Sequence, residues 1–166
     1  MTIRPDIRLR LQFLSRVVRK ESEHLRLTDQ RLFDGSNPLR QAQQIEDDPD
    51  LAERVEAFVG RFCRLQDTLG DKLLPALLTA LGEKAASAID NLDLAERLGF
   101  IDSADEWSVI RNLRNQMVHE YVEDPDVLIS ALRTAHEFVP RLTASADRMR
   151  GEITSRGWSD ATSSSN

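Results

Sequence analysis

The segment LAERVEAFVGRFCRLQDTLGDKLLPALLTAL, residues 51–81, decides the fold class of this chain. Its apolar residues recur mostly at spacings of three and four: Leu51, Val55, Phe58, Val59, Phe62, Leu65, Leu69, Leu73, Leu77 and Leu81. That repeat matches the turn of an α-helix with one buried face. Pro75 interrupts it, and we expect a kink or break there because proline lacks a backbone donor and crowds the preceding turn.

Helical patterns also flank this segment on both sides. A first helix is predicted over about 6–33, and a linker over about 34–50, marked by Gly35, Asn37-Pro38 and Asp48-Pro49. A third helix is predicted over about 83–98, with Gly99 as its C-terminal cap.

The predicted fourth helix carries the informative residues. Ser103 and Glu106 have the spacing of a capping box at its start, and we expect it to reach about Tyr121. The Asp124-Pro125-Asp126 turn then caps a fifth helix over about 127–152, with a kink at Pro140.

These patterns predict an all-α protein, an antiparallel four- to five-helix bundle. Because 166 residues suit one core, we expect a single domain over residues 1–156, with its core over about 51–152. The polar, Ser-rich residues 157–166 are predicted to be a disordered tail.

The composition limits the classes of function. The formal net charge of −6 argues against broad electrostatic binding of nucleic acid, although the first helix is basic. A basic helix of this kind is suited to contact a phosphate backbone or an acidic partner protein, and it is also consistent with a solvated surface. No apolar run is long enough for a bilayer, and the charged start lacks a secretion segment. The single cysteine, Cys63, is expected in the core, and we expect a cytoplasmic protein.

Arg114 breaks the apolar pattern of the fourth helix. At 100° per residue it falls inside the apolar arc, between Tyr121 and Trp107. A guanidinium there is costly unless it is paired or faces a wet cleft. Three explanations stay open: a pair with a carboxylate of another helix, a subunit interface, or a site for an anionic ligand.

A polar stripe lies beside that arc, formed by Ser108, Arg111, Asn112, Asn115 and His119. Asn115 and His119 are one turn apart, so the amide is placed to orient the imidazole. His24 and His136 have no comparable neighbours in the sequence and are interpreted as surface or packing residues. Arg64, Asp67 and Asp71 have the helical spacing of an ordinary exposed salt-bridge face, worth little individually.

The string Arg114-Asn115-Gln116-Met117-Val118-His119-Glu120-Tyr121 resembles the R-x4-6-H signature of the HEPN superfamily. Its R-x4-H-x-Y form looks like that of the HepT-like toxins in MNT–HEPN toxin–antitoxin pairs. The resemblance covers about residues 51–142, including the order of the amphipathic helices.

The resemblance implies a homodimeric, metal-independent endoribonuclease without a cofactor, in which Arg114, His119 and Asn115 are catalytic. Arg111 is a candidate RNA contact. The resemblance also implies a partner nucleotidyltransferase that neutralises the toxin by attaching AMP to Tyr121. The alternative is a non-catalytic HEPN-like subunit that partners a nucleotidyltransferase and binds a nucleotide or substrate. A structural helical dimer, with Arg114 paired to a buried acid, is the third possibility.

Overall fold

In a computed structural model, residues 2–84, 86–119 and 123–160 are described. The helices are α1 (Pro5–Phe33), α2 (Ala42–Asp47), α3 (Pro49–Thr68), α4 (Leu74–Ala80), α5 (Ala88–Leu98), α6 (Ala104–His119) and α7 (Pro125–Ser155). No strand occurs in these three ranges, so the all-α prediction is confirmed.

Four helical rods form the bundle: α1, the rod from α3 to α4, α6 and α7. Side-chain contacts between the rods show which of them run antiparallel. Thr68 contacts Glu21 while Arg54 contacts Arg31, so α1 and α3 are antiparallel. Asp102 and Glu106 pair with Arg148 and Arg141, so α6 and α7 are antiparallel too. The core fills the space between these rods, with Phe58 and Phe62 among its fully buried side chains.

Short-range signals place most helix ends. The Asp48 carboxylate caps α3 by accepting from the N–H groups of Asp50 and Leu51, at 3.1 and 3.2 Å. Asp124 caps α7 in the same way, so its predicted capping role is confirmed, although α7 already begins at Pro125 rather than near Val127. Gly99 adopts the left-handed conformation at the end of α5, with φ of 81°, as a C-terminal cap requires.

Of the kink or break expected at Pro75, a break is not found. The helical rod continues through Pro75, and a π turn, Leu69–Leu73, directly precedes the proline. In this turn the Leu74 N–H donates to the Leu69 carbonyl. A wide turn suits this place because Pro75 has no N–H to continue the α-helical ladder. Helix α7 likewise runs through Pro140, which lies on its exposed side.

Two further features differ from the sequence predictions, and the end of the fourth helix is only partly described. The linker contains the short helix α2, held by a capping box between Gln41 and Gln44. The third predicted helix starts at Ala88 rather than 83, because the Ser87 hydroxyl caps it. The fourth ends at His119 within the described residues, and its predicted end at Tyr121 lies outside them.

The predicted disordered tail is wrong for residues 157–160. Trp158 is buried at 3% exposure, and the Gly157 carbonyl accepts from Arg8 at 3.2 Å. Asp160 pairs with Arg16 of α1. Residues 161–166 lie outside the described residues. None of the described helices combines the length and apolarity that crossing a membrane requires.

The docked segment at 157–160 gives a stability prediction. Trp158→Ala removes a large buried side chain and should lower the free energy of unfolding by about 3 kcal/mol, measured by denaturant titration. Leu9→Ala is the control, because Leu9 is 66% exposed and its loss should cost little. Equal effects of the two substitutions would contradict the packing of Trp158.

Candidate functional site

Helix α6 lies against the π turn of the α3–α4 rod. Trp107 of α6 is buried, and a side-chain carbon on Gly70 would stand 3.3 Å from the Trp107 Nε1 atom. That distance is tighter than ordinary contact, so the absence of a side chain at Gly70 lets the indole approach the rod. This close packing positions the polar side chains of the next turns of α6.

Arg114 forms a forked ion pair with Asp67 of α3. Its Nε and Nη2 atoms donate to the two carboxylate oxygens at 3.3 and 3.2 Å. The hydrogen bond to Asp67 is the main cause that raises the pKa of Arg114 above its ordinary value, so the guanidinium stays charged. Of the three explanations that the sequence left open for Arg114, the structure shows the first, a pair with a carboxylate of another helix. About a third of each side chain remains exposed, 32% for Arg114 and 38% for Asp67.

A second pair lies one helical turn away. Arg111 Nη2 is 3.9 Å from Asp71 Oδ1, and both side chains are substantially exposed. We call Asp67, Asp71, Arg111 and Arg114 the interhelical ladder. Asp67 and Asp71 do belong to partly exposed salt bridges, as the sequence indicated, but their partners are arginines of α6 rather than Arg64. The ladder balances two positive charges with two negative ones.

Asn115 and His119 lie on the exposed side of α6. The Asn115 Oδ1 atom accepts from Arg114 Nη1 at 3.4 Å, so within the described residues the amide contacts the arginine rather than the imidazole. His119 forms no side-chain hydrogen bond with another described residue. Tyr121, the predicted site of modification, lies outside the described residues.

Cys63 supports Arg114 from beneath. Its Sγ atom lies 3.9 Å from the Arg114 carbonyl oxygen, and the residue is buried. Burial raises the pKa of the thiol to about 11, so it is protonated at neutral pH. The prediction that Cys63 belongs to the core is confirmed.

Glu21 of α1 is a half-buried acid near the ladder that sequence reasoning missed. Its Oε1 atom accepts from the Thr68 hydroxyl at 3.2 Å, and its buried Oε2 atom has no hydrogen-bond partner among the described residues. Burial raises the pKa of this carboxyl, against the opposing effects of the Thr68 hydrogen bond and of Arg64 and Lys72. Its position beside the apolar stripe of α1 was a usable signal, of the kind that singled out Arg114.

His136 also has a partner that the sequence did not indicate. Its Nδ1 atom is 2.6 Å from Asp29 Oδ1, across the interface of α1 and α7. The ring stacks on Phe33, with 4.2 Å between the ring centroids. Burial raises the pKa of Asp29. The interpretation of His136 as a packing residue is thus right for the ring but misses the carboxylate, and the pair belongs to a different interface from the ladder.

Comparisons of the chain with protein-family models, curated proteins and solved structures found no match. The resemblance noted in the sequence therefore rests on the motif at 114–121 and on the order of the helices. Among residues 2–84, 86–119 and 123–160, no cluster of three or more histidine, cysteine or acidic side chains is arranged to hold a metal ion.

The raised pKa of Glu21 predicts a pH-dependent stability. The folded protein binds this proton more tightly than the unfolded chain, so ionisation of Glu21 above its raised pKa destabilises the fold. Glu21→Gln should therefore raise the melting temperature at pH 7. The gain should shrink as the pH falls through the raised pKa towards the ordinary value of 4.5.

Glu23→Gln is the matched control, because it removes the same charge from an exposed position of α1. Melting curves of the three proteins from pH 3 to pH 8 make the comparison. A gain at pH 7 that is equal for the two variants, or that persists unchanged below pH 4, would contradict the assignment to Glu21.

Proposed function

We propose that this chain is a metal-independent endoribonuclease, similar to the HEPN toxins of toxin–antitoxin pairs, that leaves 2′,3′-cyclic phosphate ends. The observation that carries the proposal is that Arg114, on the same helix as His119, forms a forked ion pair with Asp67 of α3. The pair fixes the guanidinium while leaving about a third of it exposed. A fixed, exposed arginine on the same helix as an exposed histidine suits phosphodiester chemistry.

In the proposed reaction, His119 takes the proton of an RNA 2′-hydroxyl as O2′ attacks the adjacent phosphorus. The P–O5′ bond then breaks, and the leaving O5′ receives a proton from a protonated imidazole. Arg114 donates to a phosphate oxygen and stabilises the negative charge that develops there. Asp67 positions the guanidinium, and Asn115, which accepts from Arg114 Nη1, orients it further.

A homodimer is part of the proposal, since a second copy supplies the second histidine that separate acid and base steps need. Arg111, the outer arginine of the ladder, is proposed to contact the RNA backbone. The proposed compartment is the cytoplasm. The proposed antitoxin is a nucleotidyltransferase that adds AMP to Tyr121.

A non-catalytic subunit that partners a nucleotidyltransferase is the second candidate. The observation that favours it is the charge balance of the ladder, in which carboxylates oppose Arg111 and Arg114. In that protein the ladder holds α6 against α3, and a nucleotide or substrate binds without being cleaved.

RNA cleavage in excess EDTA separates the two candidates. The wild-type protein should release fragments with cyclic phosphate ends, and His119→Ala should lower the rate by at least about a hundredfold because it removes the acid–base group. His24→Ala is the control, since His24 is an exposed histidine of α1. Fragment ends are identified by mass spectrometry. Absence of cleavage by a folded, dimeric protein without AMP on Tyr121 would favour the binding subunit.

The role of Arg114 is tested by comparing activity with stability. If Arg114 is catalytic, Arg114→Leu should lower kcat about 100- to 1,000-fold. The melting temperature should change little, because the ion pair is partly exposed. Asp67→Asn should lower kcat less and leave KM near the wild-type value, because it only frees the guanidinium. A change in melting temperature with unchanged kcat would assign Arg114 a purely structural role.

A further inference from the structure

A second group of arginines lines an open cavity between the C-terminal end of α1 and the N-terminal half of α3. The cavity has a volume of about 760 Å³. Its charged side chains are Arg31, Arg54 and Arg61, with Asp50 and Glu53. We call it the arginine cavity. It lies outside the interhelical ladder and contains none of the residues of the sequence motif.

Two of these arginines are held in place by backbone oxygens of α1. Arg54 Nη1 donates to the Arg31 carbonyl at 3.4 Å, and Arg61 Nη1 donates to the His24 carbonyl at 3.3 Å. Arg61 also donates to the Thr28 hydroxyl. These bonds restrain the side chains, so a ligand would not have to restrain them.

None of the three arginines is within ion-pair distance of a carboxylate of the described residues. This distinguishes them from Arg111 and Arg114, which the ladder balances. Three fixed or exposed guanidinium groups beside two acids leave the cavity with a local excess of positive charge, in a protein whose net charge is −6.

Capping of α1 explains only part of this arrangement. Arg54 contacts the Arg31 carbonyl, which lies in the last turn of α1, where carbonyls lack a partner within the helix. Arg61 contacts His24, well inside the helix, where the carbonyl needs no cap. Arg31 itself lines the cavity and caps nothing in the described part of the chain.

The positive charge continues along α3 towards the ladder. Arg64 is exposed and lies one turn beyond Arg61, about 4.5 Å along the helix axis, while Arg54 lies about 10 Å before Arg61. One turn past Arg64 is Asp67, the partner of Arg114. Around the helix axis Arg54 and Arg61 lie within about 20° of each other. Arg64 and Asp67 follow in steps of about 60°, so the arginines form a row that winds around α3 towards the ladder. Grooves that bind single-stranded nucleic acid track its backbone with such rows.

We propose that the arginine cavity binds backbone phosphate of single-stranded RNA and holds the strand on the path along α3 that leads to Arg114. The proposal rests on the proposed ribonuclease function for the choice of RNA. The cavity contributes binding, and it takes no part in bond cleavage.

The test measures RNA binding without cleavage. The probe is a short, fluorescein-labelled, single-stranded 2′-O-methyl RNA, which lacks the attacking hydroxyl. Fluorescence anisotropy gives Kd over a series of salt concentrations for wild type, Arg31→Gln, Arg54→Gln, Arg61→Gln and the triple variant. Each lost phosphate contact should reduce the slope of log K against log salt by about 0.7.

Arg97→Gln is the matched control, because it removes one positive charge from an exposed position of α5. It should keep the wild-type slope. Arg31→Gln is the most direct variant, since this side chain forms no hydrogen bond with the described residues, and melting curves verify the fold of the others. A triple variant with the Kd and slope of Arg97→Gln would overturn the proposal.

Two further outcomes are distinguishable. Poly-glutamate that displaces the RNA at equal charge, with the same loss in the triple variant, would assign the cavity to an acidic protein and overturn the RNA proposal. Failure of the ribonuclease proposal would appear as unchanged cleavage by His119→Ala or as no cleavage. It would not alter the salt slopes, because the probe cannot be cleaved through its 2′-position.

Discussion

The ion pair between Arg114 and Asp67 fixes how α6 meets the rest of the bundle. A guanidinium within the apolar arc of α6 requires a partner, and the carboxylate from α3 meets it with two parallel hydrogen bonds. Because both side chains are partly exposed, the pair adds about 0–1 kcal/mol to stability. Its larger effect is on geometry. A forked pair gives a flexible arginine one orientation, and that orientation determines which guanidinium atoms are left for a ligand.

Two residues shape the helical rod that carries Asp67: one lacks a backbone N–H, and the other lacks a side chain. Pro75 has no N–H to donate within the helix, and the π turn at Leu69–Leu73 directly precedes it. Gly70, inside that turn, has no side chain to keep Trp107 away. The wide turn and the close approach of the indole occur next to the acids of the ladder. π turns are frequent at functional sites, where they reposition the side chains around them.

Local signals in the sequence account for most of the fold, and non-local pairing accounts for what was missed. Asp124 and Gly99 act within a few residues, so their caps could be predicted. The partner of Arg114 could not, because Asp67 is 47 residues away and its spacing to Arg64 also fits a pair on one helix. The burial of Trp158 could not be predicted for a similar reason. Its sequence neighbours are polar, and the segment is held by contacts with α1, which is distant in the sequence.

The distribution of arginines bears on the proposed chemistry. Contacts that hold substrate and transition state equally well lower KM, whereas catalysis needs interactions that strengthen as the reaction proceeds. In the proposed function the arginine cavity suits the first role, because its arginines lie on α1 and α3 rather than on the helix of His119 and form no ion pair with a described carboxylate. Arg114 suits the second. In the proposed reaction, the N–H donors that Asp67 and Asn115 leave unused are held in one orientation, so they can bind the phosphate oxygen on which the extra negative charge develops. Under the proposed function, an acidic protein would bind RNA through a few arginines that have no carboxylate partner and would use a separate, positioned arginine for the transition state.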